Sequence, residues 1–74
     1  MNIYKTVRGE LIKKYIDAVI DISNKHNADM FVAFEMLLTN ARAYAQGTEL
    51  PYIVNVKVDY LDLLKESEAL YKEE

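Results

Sequence analysis

The 74-residue chain reads as a mainly α-helical single domain, residues 1–74, built as an oligomeric helical bundle. Three observations predict this. Apolar residues recur at helical spacing over most of the length. Only Gly9, Gly47 and Pro51 interrupt the chain, near the expected element boundaries. One stretch, "PYIVNVKVDY" from Pro51 to Tyr60, has period two instead and reads as a short β-segment over 52–58.

The first helix is expected over 10–26. Leu11, Ile12, Tyr15, Ile16, Ala18, Val19 and Ile22 fall on one broad face, an arc wide enough for two neighbours. Glu10 and Lys14, Lys13 and Asp17, and Asp21 and Lys25 are opposite charges four residues apart. Lys25 and His26 suit the negative end of the helix, and Asn27 can end it. Toward the N-terminus two readings stand. "NIYKTV" is rich in β-formers, so 2–7 is a second strand, or Ile3 and Val7 continue the stripe of Leu11. The helical reading places Arg8 in the middle of the apolar face.

The second helix is expected over 29–46, capped by Asn27 or Asp29 and stopped by Gly47. Thirteen of the eighteen residues from Ala28 to Ala45 are apolar or tyrosine. Glu35, Thr39 and Arg42 form a narrow polar strip, and Asn40 lies among apolar positions. A helix apolar almost all round asks for burial almost all round. Two other helices of so short a chain cannot supply it, which predicts a partner chain. The chain has no cysteine and one histidine, so neither disulfides nor a Cys/His zinc site supplements the core.

The third helix is expected over 60–72. Asp59 is its cap, and Tyr60, Leu63, Leu64, Ser67, Leu70 and Tyr71 form one stripe. Lys65, Glu66, Glu68, Ala69 and Lys72 are assigned to solvent. In the β-segment, Val54, Val56 and Val58 share one face. A lone strand needs partners for its backbone groups. They come from 2–7, from the same segment of a second chain, or from nowhere, the segment then being a linker. Pairing across a two-fold axis is the favoured expectation.

Net charge is −3, unevenly spread. Residues 1–26 hold five cations against three carboxylates, and residues 49–74 hold three against seven. The favoured reading is ordinary solvated helix faces; the alternative is that the two ends, or the ends of neighbouring subunits, attract. No basic stripe is present for nucleic acid. The longest apolar run, Met30–Phe34, is far too short for a membrane span. No signal-peptide pattern is seen, so a cytoplasmic protein is expected.

No catalytic, cofactor or metal motif is found, and none is assigned. His26 with Asp29 could form an acid–base pair, but that chemistry needs a positioned partner and a pocket, and His26 reads instead as a helix C-terminal histidine in contact with solvent and the helix dipole. Asp17 with Asp21, and Glu66 with Glu68, read as solvated acids. Six tyrosines against two phenylalanines favour surfaces that are half apolar and half wet. The candidate interface residues are Tyr4, Arg8, Asn40, Arg42, Tyr44, Val54, Val56 and Val58. Arg42 alternatively pairs with Glu35 or Glu49. The expectation is a small non-enzymatic regulator or inhibitor. It acts as a homo-oligomer, a dimer favoured, on an unidentified protein partner. The alternative is a small-ligand or nucleotide sensor, with tyrosines and basic N-terminal residues holding the ligand between subunits.

Overall fold

A computed structural model describes residues 6–72, and of 69, 71 and 72 the backbone alone. It contains four helices: α1 (Val7–Lys14), α2 (Ile16–His26), α3 (Met30–Gln46) and α4 (Tyr60–Lys72). The single helix expected over 10–26 is thus two, and it begins earlier. Thr6 caps it, its hydroxyl accepting from the Gly9 N–H at 2.9 Å. At Tyr15 the backbone leaves helical geometry, with φ −109° and ψ 31°. The bend gives each half its own neighbour: α1 lies mainly on α4, and α2 on α3. The broad apolar arc is divided between them.

Residues 2–5 of the possible N-terminal strand, and Tyr4 with them, lie outside the described residues. Val7 is helical, not part of a strand. Arg8, which the helical reading left facing apolar surroundings, pairs with Glu35 of α3. Its guanidinium lies 5.9 Å from the centre of the Phe34 ring.

Asn27, at φ 50°, closes α2 in the left-handed region. Asp29 then caps α3, accepting from the Val32 N–H at 2.9 Å. Gly47, at φ 74°, ends α3, and its N–H returns to the last carbonyls. The core is formed by Leu11, Ile12, Ala18, Val19, Ile22, Ala33, Phe34, Leu37, Leu38, Ala41, Tyr60 and Leu63. Phe34, Leu37 and Ala41 are wholly enclosed. The outer face of α3 is not: Phe31 and Val32 are exposed on the single chain.

Among the described residues there is no β-strand, which corrects the segment expected over 52–58. Residues 48–59 form an irregular strap between α3 and α4. The period-two pattern survives as alternate burial. Tyr52, Val54, Val56 and Val58 are partly buried, while Ile53, Asn55, Lys57 and Asp59 are exposed. The three valines pack on the chain's own core.

Side chains take the place of a ladder. Asn40, fully buried, receives the Tyr52 N–H on Oδ1 at 3.0 Å and donates from Nδ2 to the Tyr52 carbonyl at 2.8 Å. Asp21 accepts from the Asn55 N–H at 2.9 Å, and Lys25 donates to the Ile53 carbonyl at 3.1 Å. Helix side chains thereby meet backbone groups that a neighbouring strand would otherwise satisfy.

Candidate interaction surfaces

Two grooves border α4, and a polar clamp shares Asp62 and Glu66 with one of them. The clamp starts at the α1–α2 bend. Tyr15 donates its hydroxyl proton to Asp62 Oδ2 at 2.8 Å and approaches Glu66 Oε2 at 3.2 Å. Lys14 donates to the same two oxygens, at 2.6 Å to Glu66 and 3.3 Å to Asp62. The arrangement ties the bend to the first half of α4. Burial, then the Asp62 carboxylate, pushes the Tyr15 phenol well above its ordinary range, so it stays a donor. The Tyr15 hydroxyl first, and Lys14 second, hold the Asp62 carboxyl below its usual range. Bonding to Glu66 and Asp62 raises Lys14.

Glu66 is therefore not the solvent-facing acid its helical position suggested, and Lys14 does not pair with Glu10. The i,i+4 pair that does form is Asp21 with Lys25, at 3.0 Å. The Asn55 N–H first, and Lys25 second, lower the Asp21 carboxyl. The basic N-terminal third and the acidic C-terminal third meet within one chain at a single lysine, Lys14 with Asp62 and Glu66, where solvated faces are the favoured expectation.

One groove, of about 510 Å³, opens between the C-terminal end of α3, the strap and the start of α4. Leu50, Val58 and Tyr60 line it along with Tyr44 and Leu61, and Lys57 and Asp59 supply a cation and an anion. Tyr44 is 52% exposed and Leu61 56% exposed. The Tyr44 and Tyr60 rings stand 5.7 Å apart, tilted by 36°. Capping explains why Leu61 faces outward. Asp59 fixes the first turn of α4 by accepting from the Asp62 N–H at 3.1 Å, and Tyr60 and Leu63 take the buried side.

A second groove, of about 670 Å³, runs between α1 and α4. Val7 and Leu11 give it an apolar floor, and Glu10, Asp62, Glu66, Glu68 and Lys65 line it from the two helices.

The sequence-predicted site residues are dispersed. Tyr44 and Val58 share the first groove. Asn40, Val54 and Val56 serve the chain's own strap and core. Arg8 pairs with Glu35, and Arg42 is partly buried on α3. Leu61 and Leu50 were not among the candidates. A helical wheel placed neither against Tyr44, because the strap brings them there. His26 is exposed, with its ring edge-on to Tyr52 at 5.5 Å, and Asp29 is used as a cap.

Among the described residues, no three His, Cys, Asp or Glu side chains gather as a metal centre requires, and no helix is long and apolar enough to cross a membrane. No protein-family model matches the chain, and no curated protein or solved structure matches it significantly.

Proposed function

We propose that this chain is a non-enzymatic binding protein that associates with itself, a dimer in the first instance, and regulates or inhibits a protein partner in that form. The observation that carries the self-association is the groove at Tyr44 and Leu61. Two large side chains, each more than half exposed, flank a floor of Leu50, Val58 and Tyr60. Contiguous exposed apolar surface of this kind marks association sites. Its charge favours a second copy. Lys57 and Asp59 lie on the same lining, so a two-fold axis passing between them would set the cation of each copy beside the anion of the other. The exposed Phe31 and Val32 of α3 offer further apolar surface for assembly or for the partner.

Sedimentation equilibrium of the wild type and Leu61→Glu tests this reading. The wild type should exceed the 8.6 kDa of one chain at micromolar concentration, and the variant should not. A wild-type monomer across the range refutes it.

A second reading, a small-ligand sensor, draws on the size of the same groove and its paired tyrosine rings. It predicts a rise in melting temperature with a member of a nucleotide panel, by mass action on the folded state. A binding protein is indifferent to the panel.

A further inference from the structure

We propose that the groove between α1 and α4 receives a basic amphipathic helix of a partner protein, with apolar residues on Val7 and Leu11 and Lys or Arg against the acidic rim. The groove shares no lining residue with the one at Tyr44 and Leu61, so the inference stands apart from self-association.

Its chemistry is two-sided. The floor is apolar and belongs to α1, with half-buried Val7 exposed to the groove and Leu11 nearly enclosed beneath it. The lining carries four carboxylates, Glu10, Asp62, Glu66 and Glu68, against one ammonium, Lys65. At one end Lys14 already lies between Asp62 and Glu66, so the positions nearest the clamp are satisfied. Glu10 and Glu68 are exposed and form no ion pair among the described residues. They come from the two opposing helices, and a cation on a bound helix would lie within reach of either wall. An apolar stripe with basic flanks matches this lining, the helix-in-groove mode of recognition with charge setting the partner. The chain's own helices fit less well. Arg8, Lys14 and Lys25 are spent on acceptors within the chain, and the exposed Lys13, Lys57 and Lys65 are spread over α1, the strap and α4, so among the described side chains no helix presents a basic stripe to a second copy.

The test uses the full chain and three dye-labelled model peptides of leucine and a charged residue, read by fluorescence anisotropy. The first has leucine on one helical face and lysine on the other. The second has glutamate for lysine in the same pattern. The third is a scramble of the first. The patterned lysine peptide should bind, the other two should bind at least about tenfold more weakly, and the Glu10→Gln/Glu68→Gln double variant should lose about tenfold in affinity for it. Neither side chain makes a hydrogen bond or ion pair among the described residues, so the double variant should stay within a few degrees of the wild-type melting temperature, the loss of the first-turn acid of α1 being the only expected effect. Leu61→Glu should bind the peptide as the wild type does, which separates this groove from the self-association face. The proposal is overturned if the patterned peptide does not bind, if the scramble binds equally well, or if the double variant retains full affinity.

Discussion

Replacing Asn40 by alanine should free the strap and cost about 2–4 kcal/mol. The side chain is fully buried and makes two hydrogen bonds to the backbone of Tyr52, at 3.0 and 2.8 Å, with a longer approach of 3.4 Å to the Tyr60 hydroxyl. Each such bond contributes about 1 kcal/mol net, and a group left without a partner costs about 1–3 kcal/mol. Tyr52 is only partly buried, so water can reach some of what is released, and the lower part of that range applies to its N–H and carbonyl. The void left by the amide adds to this. A chain of 74 residues has about 4–11 kcal/mol in all, at the usual 0.05–0.15 per residue. The loss is therefore a large share, and Val54, Val56 and Val58 lose the anchor that holds them on the core. Urea unfolding followed by far-UV circular dichroism measures it, at one protein concentration because the proposed self-association would contribute to apparent stability. Thr39→Ala, on the exposed side of the same helix, is the control and should change little. In Asn40→Asp the carboxylate can accept from the Tyr52 N–H but opposes its carbonyl. Burial raises the folded-state pKa of that acid, so the deficit should shrink as pH falls. An unchanged midpoint for Asn40→Ala would refute the reasoning, because the strap would then hold by its valines alone.

Three other outcomes follow from the same structure. Leu37→Ala, at a fully enclosed position, should cost about 2–5 kcal/mol in the same assay, and a small shift would place residue 37 near the surface. Asn55→Pro deletes the N–H bonded to Asp21 and should lower the melting temperature more than Asn55→Ala, which keeps that N–H; equal losses would show that the bond does not hold the strap. The lowered carboxyls of Asp21 and Asp62 contribute stability that is present above the ordinary carboxylate range and lost as pH falls through their folded-state values. Asp62→Asn should therefore flatten the acid limb of the stability profile, and an unaltered limb would show that the clamp to Tyr15 and Lys14 does not form.

What could be read in advance follows from what periodicity encodes. Caps and stops are local chemistry, so Asp29, Gly47 and Asp59 mark α3 and α4 within a residue or so. The enclosed positions Phe34, Leu37 and Ala41 follow from spacing alone. Period two in 52–58 encodes alternate burial, which requires a chain crossing a core but not a hydrogen-bonded neighbour. The groups that replace the neighbour, Asn40, Asp21 and Lys25, lie 12, 34 and 28 residues from their backbone partners, and no window of sequence contains both. The break at Tyr15 carries no glycine or proline signal. Tyr15 accepts the Val19 N–H and donates its own to Leu11, so the hydrogen bonding of the two helices runs on through the bend. A helical wheel registers polarity and not the lysine of another helix, so it assigns Glu66 to water. The acidic groove had a trace in the sequence, the excess of carboxylates after residue 49, but its apolar floor comes from α1.

The most direct measurement of self-association uses the absence of cysteine. A spin label on Glu49→Cys, at the exposed edge beside Leu50, is mixed in unlabelled-nitrogen protein with ¹⁵N-labelled wild type, so that any broadening is intermolecular. The account predicts selective loss of the amide signals of Tyr44, Leu50, Val58 and Leu61. Broadening absent at concentrations of association, or confined to α1 and α2, would contradict it.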